Sequence, residues 1–144
     1  MRWILGVGIL AVSAAAMASD VGEVKKASGA AHLERAGAQL PLQVGTQVRA
    51  ADRIVTGADG SVGITFLDNT LVSAGPNSTL VIDSYQFDST THAGKFDASL
   101  QRGSLAVISG KMVKQSPDAM RIRTPSSILG VRGTEFVVKV ADPQ

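Results

Sequence analysis

At 144 residues, with 44% hydrophobic but only 4% aromatic side chains, the chain is long enough for one domain built around an aliphatic core. A formal net charge of +2 is too small to signal a nucleic-acid partner, and the sequence pI of 9.2 reflects only that slight imbalance. The absence of Cys excludes disulfides, thiol catalysis, Cys-ligated zinc and a lipid-modified cysteine anchor, and is compatible with an oxidising compartment.

The chain opens with basic Met1-Arg2, an apolar run from Trp3 to Ala15 and the small-residue site Ala16-Met17-Ala18. That order predicts a secretory signal peptide over residues 1–18, followed by a single β domain over residues 19–144. The apolar run is shorter than the roughly 20 residues needed to span a bilayer, so an uncleaved anchor is the lesser alternative. Cleavage removes Arg2 and lowers the net charge from +2 to +1. The expected location is the periplasm or the exterior of a Gram-negative bacterium, with no membrane span after cleavage.

From Val21 onward, short apolar segments are punctuated by Gly, Asp, Asn and Pro, with no helical stripe long enough to bury. The expected fold is all-β: a compact sandwich or jelly-roll-like domain, or a short solenoid. Val21 to Ser28 and Ala31 to Arg35 read as a first hairpin across Gly29, and Leu40 to Val44 leads through Gly45 to Gln47–Arg49. Arg53 to Thr56 is a strand, Gly57-Ala58-Asp59-Gly60 a turn, and Val62, Ile64 and Phe66 share one face of the next strand before Asp68-Asn69 reverses the chain. Asn69-Thr70-Leu71-Val72 is echoed by Ser78-Thr79-Leu80-Val81, which suggests a meander or a pair of stacked rungs. Asp88 to Lys95 reads as a hairpin tip between Thr79–Phe87 and Phe96–Leu100, Gln101-Arg102-Gly103 as a turn into Ser104–Ser109, and Lys111 to Asp118 as a loop.

The last segment, Arg121 to Val140, alternates Arg121-Ile122-Arg123 and then Phe136, Val138 and Val140, so a strand is expected at each end. Between them, Thr124-Pro125 removes an amide donor and favours extended geometry before the proline, while Gly130 and Gly133 bracket Val131-Arg132 and allow two sharp turns. A positive φ is expected at Gly133, and an inward, structural guanidinium at Arg132.

Chemistry is sparse. His32 and His92 are the only histidines, and Asp88, His92 and Asp97 approach a cation only if the polar hairpin folds them together, so neither metal nor cofactor is expected. No G-x-S-x-G elbow serves a Ser nucleophile, and Gly57-x-x-Gly60 lacks the Lys-Ser/Thr of a phosphate loop. Ser126-Ser127 after Pro125 reads as turn chemistry. Arg121 and Arg123 share the face away from the core and are candidates for contact with a carboxylate or acidic glycan, against the plainer expectation of a solvated face. A non-enzymatic binding role is therefore expected.

Thr124-Pro125, followed by Val131-Arg132-Gly133-Thr134 and an apolar strand, resembles the C-terminal signature of FecR domains. Gly45, Asp52-Arg53-Ile54-Val55-Thr56-Gly57, Asp59-Gly60, Leu67-Asp68, Pro76-Asn77-Ser78-Thr79-Leu80 and Leu100 to Val107 fall in that family's order. The resemblance implies a periplasmic domain which, in the family's regulators, follows a cytoplasmic anti-sigma segment and a transmembrane helix and relays signals from an outer-membrane receptor. Here a signal peptide stands where the cytoplasmic segment would be, and little chain follows Thr134. The expectation is a stand-alone exported FecR-like module in signalling or envelope assembly whose partner is an envelope protein. An envelope polysaccharide or peptidoglycan is the alternative ligand, against which stands the scarcity of aromatic platforms, Tyr85 being the one Tyr and Trp3 being lost with the signal peptide, and a small secreted hydrolase has least support.

Overall fold

The computed structural model describes residues 19–130 and 134–140. Strands β1 (Asp20–Ser28), β2 (Ala31–Arg35), β3 (Ala38–Pro41), β4 (Gln47–Arg49), β5 (Arg53–Thr56), β6 (Ser61–Phe66), β7 (Leu71–Ala74), β8 (Thr79–Phe87) and β9 (Gly94–Ile108) are followed by a one-turn helix α1 (Lys111–Gln115). Strands β10 (Met120–Arg123), β11 (Ile128–Gly130) and β12 (Glu135–Val140) complete the all-β fold. Several follow directly from alternation: in β6, Val62, Ile64 and Phe66 are each 2% exposed while Ser61, Gly63 and Thr65 face outward.

These twelve strands form one sheet, running β3-β2-β5-β8-β9-β7-β6-β1-β4, with β10 and β12 added to β9 and β11 to β10. The sheet is curled over on itself. Its organising feature is a crease at which four neighbouring runs of chain bend together. β1 and β2 pair successively with β6 and β5, from Gly22↔Phe66 to Glu34↔Arg53, and both runs bend between Ser28↔Ser61 and Ala31↔Thr56. β7 and β8 pair with β9 in the same way, bending between Ala74↔Leu105 and Thr79↔Arg102. The expected β1–β2 hairpin is therefore corrected: Gly29, at φ +66°, turns the chain round a corner, and each strand finds its partners elsewhere. The expected turn at Gln101-Arg102-Gly103 is likewise a bend within β9, because φ +90° at Gly103 redirects the strand while the ladders on either side of it continue.

Backbone groups turned out of register at the crease are satisfied across it. Gly57 N donates to Ala30 O (2.8 Å), Asn77 N to Gly57 O (3.0 Å) and Gly75 N to Ser104 O (3.1 Å). Buried Thr56 donates its hydroxyl to Gly75 O (2.6 Å) and accepts from Ser78 N (2.9 Å), while Ser104 N donates to Ser78 Oγ (3.0 Å).

The crease divides the sheet into a β1 half (β4, β1, β6, β7, the end of β9, and β12) and a β2 half (β3, β2, β5, β8, the start of β9, β10 and β11). The core lies between them. Val24, Ile64, Phe66, Val72 and Val107 pack in one cluster with Leu33, Ile54, Leu80, Leu100 and Ile122. Phe66 bridges the halves, its ring centroid 4.6 Å from that of Phe96 and 5.4 Å from that of Tyr85. The Thr-Leu-Val echo is not a structural repeat: Leu71 in β7 faces solvent at 41% exposure, whereas Leu80 in β8 is fully buried. The intervening corner turns the second copy of the pattern over.

Candidate interaction surface

Two buried aspartates close the mouth opposite the crease. Asp52, 1% exposed, accepts from Arg35 Nε (2.9 Å) and Nη2 (2.7 Å) and from Arg49 N (2.7 Å), tying β4 to the β2 half. The Asp52 carboxylate raises the Arg35 guanidinium above its already high ordinary value. Asp68, fully buried, accepts from Tyr85 Oη (2.9 Å), Thr70 Oγ1 (2.7 Å) and Met112 N (3.3 Å), and its backbone N donates to Tyr85 Oη (3.0 Å). Burial first, and then the Asp68 charge, push the Tyr85 phenol well above its ordinary range. The same carboxylate serves α1, because the N-cap Gly110 has no side chain and Met112 N needs an acceptor. Sequence reasoning placed both aspartates in a motif but missed their burial; the one local signal for Asp68 was Thr70 two positions on, an Asx-turn pattern.

Among the described residues no three His, Asp or Glu side chains gather where they could hold a metal ion, although His92 N donates to Asp88 O (2.8 Å) within one turn. Asp88 accepts from Thr90 N (2.8 Å) and Thr91 N (3.2 Å), which hold it below the usual carboxylate range. His92 stacks on Phe87, while Asp97 accepts from Ser84 Oγ (3.1 Å) and pairs with Lys95 (3.3 Å). Tyr85 is 7% exposed with its hydroxyl committed to Asp68, so it offers no platform to a glycan.

Around the expected signature turn, Thr124 and Ser127 close a tight hairpin that joins β10 to β11. Thr124 N donates to Ser127 O (2.8 Å), Ser127 N donates to Thr124 Oγ1 (3.1 Å), and Pro125-Ser126 occupy the two central positions. Ser126-Ser127 is turn chemistry, as its sequence suggests. Gly130 ends β11 in extended pairing with Arg121, and an added Cβ there would meet nothing within 4 Å. Val131, Arg132 and Gly133 lie outside the described residues, and with them the positive φ and the inward guanidinium. Thr134 is exposed, and its carbonyl accepts from Ser109 N at 2.7 Å. Arg121 and Arg123 are exposed on the outer side of β10 with Ile122 buried between them.

The two outer faces of the curled sheet differ sharply in chemistry. On the β2 half, polar groups engage one another: Arg53 donates to Gln101 Oε1 (2.6 Å) and lies 3.9 Å from Glu34, and Ser99 bonds to Asp83. On the β1 half, register aligns Gly63, Ser73, Ala106 and Val137 in one row and Thr65, Leu71, Ile108 and Glu135 in the next. Leu71, Ile108 and Val137 are 41%, 42% and 61% exposed, beside a shallow depression of about 250 Å³ bordered by Lys25, Lys26 and Glu135. Small residues in the first row leave the larger apolar ones standing proud. At its far side this face ends at β12, whose ladder partner among the described residues is β9 alone.

A family model described as FecR protein matches residues 52–144, more than half of the chain and all of β5 to β12. Both mouth-closing aspartates fall within that match, while Arg35 precedes it. Comparison with curated proteins and with solved structures returns no match.

Proposed function

Because the chain belongs to the FecR protein family, we propose that it is an exported, non-catalytic binding module of the bacterial cell envelope that docks a protein partner on the outer face of its β1 half. One observation carries this reading: Leu71, Ile108 and Val137 are exposed together on a sheet face whose neighbours are small, whereas the opposite outer face is polar and internally paired. Lys25, Lys26 and Glu135 supply the polar rim expected around an apolar contact. The surface suits a protein better than a glycan, since sugar sites use exposed aromatic rings and Tyr85 is buried. Export rests on the pattern of residues 1–18, and N-terminal sequencing of the protein recovered from the periplasm should begin at Ser19.

The test is mild cross-linking in envelope extract with the wild-type chain, a Leu71→Asp/Ile108→Asp variant and an Arg121→Ala/Arg123→Ala variant. The first variant should lose the captured protein while its circular dichroism shows that it remains folded, and the second should keep it. Equal capture by all three would refute the assignment of this face. Loss in the arginine variant alone would move the contact to β10. Retention of purified peptidoglycan without any protein would turn the reading to a glycan ligand.

A further inference from the structure

We infer that β12 pairs with β12 of a second copy of this chain across a two-fold axis at Val137, extending the β1 half into a continuous sheet through two molecules. The inference rests on the reading of this face as a binding surface and adds a partner to its edge.

The backbone fixes which groups are free. Ser109 N donates to Thr134 O at 2.7 Å, and Thr134 stands opposite Ser109, one step beyond the Glu135↔Ile108 pair. In an antiparallel ladder, hydrogen-bonded and non-bonded pairs alternate, so the even-numbered residues of β12 bond to β9. The N–H and C=O groups of Glu135, Val137 and Lys139 therefore point away from β9, along an edge that has no ladder partner among the described residues. Their side chains are exposed as well, whereas Phe136 and Val140 pack against the core and Val138 is buried. The edge has no proline, no bulge and no inward-pointing charge, the usual devices that keep such strands unpaired.

An approaching antiparallel copy must match odd-numbered residues with odd-numbered ones. Of the registers that do so, the one centred on Val137 uses every free group. Val137 then opposes Val137 of the second copy, Glu135 opposes Lys139, and Lys139 opposes Glu135, each pair exchanging both backbone hydrogen bonds. A two-fold contact requires a self-complementary patch, and E-x-V-x-K is self-complementary in charge when read antiparallel. Shifting by two residues in either direction breaks both charge pairs. The row Gly63-Ser73-Ala106-Val137 then runs on into the corresponding row of the partner, so the two apolar faces become one. At the other end of β12, Val138–Val140 face the Thr124–Ser127 hairpin across a groove of about 410 Å³.

The test is sedimentation velocity on the purified protein, from low micromolar to about 100 µM, as expected for a contact at the small end of the interface range. The wild type should dimerise. Glu135→Lys and Lys139→Glu should each weaken the dimer about tenfold or more by setting like charges opposite one another, and the double exchange should restore it. Both positions are exposed, and circular dichroism checks that each variant stays folded. The chain has no cysteine, so Val137→Cys introduces a single thiol. Facing Cα atoms about 5.5 Å apart are within disulfide reach, and oxidation should yield a covalent dimer, whereas Ser126→Cys should not. A wild type monomeric over the whole range, a dimer that Val137→Cys fails to cross-link, or a double exchange no better than the single variants would each overturn the pairing. A monomer that still loses its envelope partner on Leu71→Asp/Ile108→Asp would sink the pairing and leave the docking face standing. A dimer that captures nothing would do the reverse.

Discussion

At the scale of single residues, Asp68 joins more of the molecule than any turn aspartate needs to. Its carboxylate holds the Tyr85 hydroxyl, the Thr70 hydroxyl and the first turn of α1, so removing it leaves several buried donors without acceptors. Asp68→Ala should cost about 3 kcal/mol and lower the melting temperature by roughly 10 °C, measured by calorimetry. A loss of only a degree or two would mean that water replaces the carboxylate. Tyr85 gives the same network a pH dependence. Its phenol is held neutral by burial and by Asp68, so the folded state binds that proton more tightly than the unfolded chain does. The stabilisation is complete below about pH 10, the ordinary phenol range, and shrinks as the pH climbs above it. Denaturant titrations at increasing alkaline pH should therefore show wild type losing stability faster than Tyr85→Phe, with the two curves converging. Parallel curves would place the alkaline loss elsewhere.

At the scale of elements, β9 is the spine, because it alone passes through the crease as one unbroken strand with partners on both flanks. That continuity depends on Gly103, where φ is +90° and an added Cβ would overlap Ser78 Oγ and lie 2.5 Å from Ser78 Cα. Gly45 has a similar φ of +95° but open space around it. The pair separates conformational strain from collision: Gly45→Ala should cost about 1 kcal/mol, and Gly103→Ala about 3 kcal/mol or more. Equal costs in chemical denaturation would show that the crease yields more easily than its packing suggests. The β10–β11 hairpin is a lighter element. Thr124 and Ser127 satisfy each other, only Met120 and Ile122 anchor β10 from below, and β11 has exposed side chains throughout.

At the scale of the whole molecule, one sheet curled over a single core should open from its edges inward. Amide exchange is expected to be slowest in β9 and the adjoining β7 and β8, and fastest in β3, β4 and β11, each held by a single neighbouring strand. Protection that is equal in β9 and in those edge strands would contradict this order. Much of this architecture is local in origin and could be read from the chain: period-two alternation marks Arg53–Thr56 and Thr79–Phe87 as strands, and Asp, Asn, Gly and Pro mark where they stop. The same alternation placed Arg121 and Arg123 outside and Ile122 inside. Pairing was not legible, because alternation says which side chains share a face and nothing about which strand lies alongside. So β1 and β2, adjacent in sequence, bend round one corner together instead of folding on each other, and Gly103 bends a strand where its sequence context suggested a turn. Burial of charge was equally hidden, since Asp52 and Asp68 look like ordinary turn residues until Arg35 and Tyr85 arrive from distant strands to satisfy them. The sequence by itself determined the all-β class, the faces of the strands and the turns other than those at Gly29 and Gly103, all of which are fixed by neighbours a few residues apart. Only the tertiary structure decided the crease, the closed mouth and the apolar outer face of the β1 half, because each is made by contacts between residues far apart along the chain.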